Sequence, residues 1–129
     1  MMNLKKIVGN LVLLSLIPLT LVACGGETAV SFSQDVRPII DRHCIQCHEP
    51  GGKGEVASGF DMTSYDSLMR GARFGPMIIA NDVEGSNMIV LMEGRADPSI
   101  SMPHGQRPSV PGQEIQTIRL WVDQGAKNN

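Results

Sequence analysis

Cys44-Ile45-Gln46-Cys47-His48 decides how the rest of this 129-residue chain is read. C-x-x-C-H is the attachment sequence for a c-type haem. Two thiols three positions apart on one helical turn can add across the two vinyl groups of a single porphyrin. The imidazole of the next residue, His48, then serves as the proximal axial ligand of the iron, and the second axial group tunes the potential. Three other uses of these residues compete. A zinc site made of His43, Cys44, Cys47 and His48 would take all its ligands from six consecutive residues, whereas a tetrahedral ion usually draws on a second pair far along the chain. The sequence has three cysteines in all and no second Cys-rich cluster. A thioredoxin-like pair needs a βαβ setting, which the hydrophobic pattern does not offer. A structural disulfide is the remaining alternative.

The start of the chain has a different character. A short basic segment, Met1 to Lys6, precedes an apolar run from Ile7 to Val22 with Pro18 near its end. That is the pattern of a secretory signal peptide. The run is at the short end for a membrane span. It ends in Leu21-Val22-Ala23-Cys24-Gly25, which resembles the lipobox of bacterial lipoproteins. That resemblance implies cleavage before Cys24 and lipidation of its thiol. One acyl chain holds a protein only marginally, but the modification supplies several. Cysteine use then closes, with Cys24 on lipid and Cys44 and Cys47 on haem, although an exported compartment would permit a disulfide. The expected organisation is residues 1–23 as leader, 24–30 as lipidated tether and 31–129 as one domain.

Removal of residues 1–23 takes Lys5 and Lys6 with it, so eleven basic residues fall to nine against thirteen acids, a net charge of −4. Nucleic acid is excluded as a partner on this balance, since phosphate binding needs a basic patch. The mature chain has five aromatic residues, Phe32, Phe60, Tyr65, Phe74 and Trp121. A domain this small buries a limited share of its surface, and a porphyrin at its centre would supply the missing apolar area.

Along the domain, Ser33 is the expected N-cap of a first helix, with regular geometry from about Asp35 to Arg37 because Pro38 is tolerated only in a first turn. Val36, Ile39, Ile40 and His43 recur at helical spacing; His43 falls at the surface or haem edge. Pro50-Gly51-Gly52-Lys53-Gly54 breaks regular structure, so residues 49–60 read as a loop on the proximal side. Thr63 or Ser64 caps a short helix that Gly71 ends. An irregular segment spans Arg73 to Val83. Ser86 caps a third helix through Met88, Ile89, Leu91 and Met92, ended by Gly94. Residues 95–112 form a long loop with four prolines, and a loop of this length inside a small domain usually has a task. A last helix runs from Pro111 or Gly112 to Gln124. Its face of Ile115, Ile118, Trp121 and Val122 is expected to pack on the first helix.

Six methionines of the mature chain could bind the iron opposite His48. Met69, Met88 and Met92 fall on helical faces, where Met is normally core filling. Met62 and Met77 are loop candidates. Met102 is favoured because the long intervening segment can pass around the ring edge and Pro103 stiffens the backbone presenting the sulfur. His104 is the alternative ligand, and an open distal site is the third arrangement.

Phe32-Ser33-Gln34-Asp35-Val36-Arg37-Pro38-Ile39-Ile40, the C-x-x-C-H motif, Met102-Pro103 and Trp121-Val122-Asp123-Gln124-Gly125-Ala126 together resemble the small monohaem class I c-type cytochromes, especially the Planctomycete-type cytochrome c domain. The resemblance runs from about Phe32 to Ala126. It implies an all-α cytochrome c fold of about four short helices and long loops around one covalent haem c. It also implies Cys44 and Cys47 as attachment points and His48 and Met102 as axial ligands. His104 departs from the pattern, which usually has a second proline there. The expected function is single-electron transfer without substrate chemistry, hence no enzyme activity and no small-molecule substrate. Redox proteins are the expected partners, with the membrane reached through the lipid at Cys24. The exported protein faces the periplasm or cell surface; Gly25 lacks the acidic character linked to inner-membrane retention, which favours the outer membrane. Two rival functions are a peroxidase or gas-binding protein with an open distal face, and a non-transferring haem subunit of a membrane complex.

Overall fold

The computed structural model describes residues 28–129. The expected leader, residues 1–23, and the lipid attachment point Cys24 lie outside the described residues.

A π-helical turn, Phe32–Val36, leads directly into α1 (Arg37–His43) and α2 (Ile45–His48). Then come α3 (Lys53–Ser58), α4 (Tyr65–Arg70), α5 (Asn87–Met92), a 3-10 turn (Pro98–Ile100) and α6 (Gly112–Asp123). The fold is all-α, with six α-helices and no strand among the described residues. The irregular segment after α4 holds only two isolated bridges, Ala72 with Gly75 and Ile79 with Asp82.

Three local expectations need correction. The first cap is Ser31 rather than Ser33: the Ser31 hydroxyl accepts the Gln34 N–H at 3.2 Å. Ser33 instead donates its N–H and its hydroxyl to the Asn129 carbonyl, each at 2.9 Å, so the far end of the chain decides where the first turn begins. Pro38 still falls in the first turn of α1. Residues 49–60 are not all loop, because α3 occupies 53–58 in spite of the glycines before it. Ser86 stands at the N-cap of α5, but its side chain makes no cap bond. Its hydroxyl accepts from Ile79 N–H at 2.9 Å and lies 2.6 Å from the Asp82 carbonyl, tying down the irregular segment. By contrast, Ser64 caps α4 through a reciprocal box with Ser67, and Gly71 ends that helix in a positive-φ conformation that side chains resist.

The core forms where the two ends of the domain meet. Val36, Ile40, Leu68, Ile89, Ile118 and Val122 are wholly buried. Phe32 stacks 5.5 Å from Trp121 and 5.2 Å edge-on from Tyr65. α6 therefore packs on the π-turn at the head of the first helix and also on α5. Both polar aromatics satisfy their heteroatoms, as buried Tyr and Trp normally do. Tyr65 Oη donates to the Ala126 carbonyl at 2.7 Å and Trp121 Nε1 to the Lys127 carbonyl at 2.8 Å. α2 and α3 pack against each other.

Candidate functional site

Cys44 is the joint between α1 and α2. Its N–H donates to the Ile40 carbonyl at 2.9 Å, and its carbonyl accepts from Cys47 and His48 at 3.0 and 3.1 Å. One tight turn thus carries both thiols and the imidazole, as the motif spacing predicted. Both thiols are free and half-buried. Burial, with help from the charges of Asp41 and Cys47, pushes the Cys44 thiol up to about 11. A thioredoxin-like pair needs a βαβ setting, and the described residues contain no strand.

His48 is buried at 8 % exposure. Its Nδ1 donates to the Phe60 carbonyl at 2.9 Å. That bond fixes the tautomer and leaves the lone pair on Nε2. Among the described residues Nε2 has no hydrogen-bond partner, and no buried side-chain nitrogen or oxygen is left unpaired, so Nε2 remains reachable. The Phe60 ring stands edge-on to the imidazole at 5.4 Å. The next residue but one, Met62, donates its N–H to the His48 carbonyl at 2.7 Å. On the other side α3 approaches so closely that a Cβ on Gly54 would lie 2.8 Å from both Cε1 and Nε2. The ring is therefore clamped by main chain, with the bare backbone of Gly54 beside the free nitrogen. Arg37 secures this support, donating from Nη1 to the Met62 and Thr63 carbonyls at 2.9 and 2.8 Å.

These observations fit a covalently bound haem. The turn supplies two free thiols and one oriented imidazole whose outer nitrogen is already bonded to a carbonyl, the supporting contact that orients a metal-binding histidine. The zinc alternative does not fit. Among the described residues no group of three or more His, Cys, Asp and Glu side chains could hold a metal ion. His43 points elsewhere, with Nε2 2.6 Å from Glu114 on α6. Arg42 also donates to Glu114, at 2.8 Å. Burial works to raise the Glu114 carboxyl, but the hydrogen bonds from Arg42 and His43 outweigh it and hold the pKa below its ordinary value.

The methionines divide clearly. Met62, Met88 and Met92 are core residues. Met62, expected as a loop candidate, lies in a loop but is sealed in the core next to His48. Met69, Met77 and Met102 are half-buried, and His104 is exposed. Met102 donates its N–H to the Leu91 carbonyl at 3.1 Å, which anchors the long loop to the end of α5. Farther along, Arg107 donates to Gln46 Oε1. The segment carrying Met102 and His104 thus returns to the C-x-x-C-H turn. An open cleft of about 460 Å³ is lined by Gln46, Cys47, Glu49 and Arg107.

Gly54, the Phe60 carbonyl, Arg37 and Arg107 were not legible as site residues in the sequence. A glycine six residues beyond the motif histidine was the one available signal, and it reads equally as loop.

Residues 44–104 match the family model described as Planctomycete cytochrome C. No curated protein and no solved structure matches the chain.

Proposed function

We propose, on the premise that this chain carries a cytochrome c-type domain, that it is an exported, lipid-anchored monohaem c-type cytochrome that transfers single electrons between redox proteins. The family match carries haem-based electron transfer in general; ligation, anchoring and the absence of substrate chemistry are the specific parts of the proposal. Cys44 and Cys47 would hold the haem through thioethers, and His48 Nε2 and the Met102 sulfur would ligate its iron. A bound haem supplies a one-electron ferric/ferrous couple. The residues of the chain do the rest. The Phe60 carbonyl and the backbone at Gly54 keep the imidazole in one orientation. Met102 offers a soft, neutral donor that favours ferrous iron and raises the potential. Were His48 and Met102 both to ligate the iron, no coordination site would be left for a substrate, which is why electron transfer is preferred over peroxide or gas chemistry.

The single observation that carries this reading is the His48 arrangement: Nδ1 committed to the Phe60 carbonyl, Nε2 uncommitted, on the same turn as two free thiols. The anchor rests on the lipobox at Cys24 and the apolar run before it. The test is the ferric near-infrared sulfur-to-iron charge-transfer band of the purified holoprotein. The band should be present and should disappear in Met102→Ala; its survival there refutes Met102 as ligand. Rapid carbon monoxide binding to the untreated reduced protein would instead establish an open distal face.

A further inference from the structure

Between Met102 and Val110 the chain is held to the rest of the domain in an unusual way. Met102 is pinned by its N–H to Leu91, and Val110 is buried at 4 % exposure. For the residues between them, 103–109, one hydrogen bond to the body of the domain is found among the described residues, from the Arg107 guanidinium to Gln46 Oε1. The segment contains Pro103 and Pro108, which lack N–H donors, and Gly105 in a positive-φ conformation. It has no helix or sheet of its own to hold it. Its partner is not incidental, because Gln46 is the second variable residue of the C-x-x-C-H turn. The two residues are 61 positions apart, and both are exposed. The bond can therefore break and re-form in water without disturbing the core.

We propose that Arg107 is a positioning residue, a latch that holds the segment bearing Met102 and His104 against the haem-attachment turn and so governs how readily the second axial position opens to an outside ligand. The inference rests on the reading of Met102 as that ligand. Opening the segment requires the latch to break, so whatever the bond adds to the closed state divides the open population. A guanidinium suits this task. It stays charged at all relevant pH and offers several donors in a fixed fork to one amide oxygen. Glu49, on the same cleft, offers no substitute bond in the closed structure, since Arg107 is turned to Gln46.

The test uses ferric holoprotein mixed with imidazole, with ligand entry followed by absorbance. Arg107→Leu and Gln46→Leu each remove one half of the bond at exposed positions, so the core is untouched. Each should speed imidazole entry about three- to tenfold, the population change expected from losing one exposed hydrogen bond. The double variant should be no faster than either single one, and Gln46→Glu, which keeps the acceptor, should be no faster than the unaltered protein. The sulfur-to-iron band should remain in all of them before imidazole is added. An unchanged rate in either single variant, or effects that multiply in the double variant, would overturn the latch. If the unaltered protein lacks the sulfur band, the Met102 reading falls and takes the latch with it; a band that is present beside unchanged imidazole entry overturns the latch alone.

Discussion

Gly54→Ala is the substitution that presses hardest on the support of His48. A methyl group there would lie 2.8 Å from Cε1 and Nε2 of His48 and 3.0 Å from the Cys47 carbonyl, where ordinary contact begins at 3.4 Å. The imidazole would have to move by 0.6 Å, the difference between those two distances. It is not free to do so, because Nδ1 is bonded to the Phe60 carbonyl and the Phe60 ring closes one side. Overpacking of this kind costs about 1–3 kcal/mol. Alanine recovers up to about 1 kcal/mol of helix propensity, leaving a net loss of up to roughly 2 kcal/mol. For a domain of this size that lowers Tm by up to roughly 15 °C. With His48 as the proposed ligand, the same displacement should also show as a shifted reduction potential and an altered ferric spectrum. Gly112→Ala is the internal control: the added carbon meets nothing within 4 Å and the backbone is not in a positive-φ conformation, so stability should hold or rise slightly. The assay is thermal unfolding of the holoprotein beside its absorption spectrum. A Gly54→Ala protein with unchanged Tm and unchanged spectrum would refute the claim that α3 must approach His48 with bare backbone.

Trp121→Ala removes a side chain that is 1 % exposed and packed on Phe32 and Tyr65, so denaturant unfolding should show a loss of about 3–5 kcal/mol. Arg37→Met takes away the donors to the Met62 and Thr63 carbonyls and should destabilise by about 1–2 kcal/mol, the lower part of the range for hydrogen bonds from a charged group because the side chain is partly exposed. The depressed Glu114 pKa adds stability that is fully present above the unfolded value near 4.5 and is lost as pH falls through the folded value. Glu114→Gln should therefore flatten the acid limb of the stability–pH curve below about that pH, and an unaltered limb would count against the Arg42–His43–Glu114 cluster. Cys24→Ala should release the protein from membranes into the soluble exported fraction, whereas retention on the membrane would contradict the lipid anchor.

What could be read from residues in order was whatever depends on local chemistry. The C-x-x-C-H turn, the cap at Ser64, the positive-φ ends at Gly71 and Gly94, and the apolar faces of α5 and α6 all depend on neighbours a few positions apart. Pro38 likewise marked the first turn of α1 by its own covalent constraint. The failures share the opposite cause. Ser33 was displaced as a cap because Asn129, at the other end of the domain, takes its N–H and hydroxyl. α3 was hidden because Gly51, Gly52 and Gly54 carry a local signal for loop, while their tolerance of close backbone approach to Cys47 and His48 is a tertiary fact. Ser86 was right in position and wrong in role, since its hydroxyl found a better acceptor across the irregular segment than along its own helix. In the site, the thiols and imidazole were plain, but the carbonyl that orients His48 could belong to any residue type, so no pattern could announce Phe60. Arg107 and Gln46 similarly lie in stretches whose local composition says only surface loop and haem motif.

The most direct measurement is the mass of the intact chain, purified after export from a host able to attach haem, taken together with its absorption spectrum. The expected product is a coloured protein whose mass exceeds that of the lipid-corrected polypeptide by one haem, with loss of that increment when Cys44 and Cys47 are both replaced by alanine. A colourless product from a competent host, or a coloured one whose mass carries no covalent increment, would contradict this expectation.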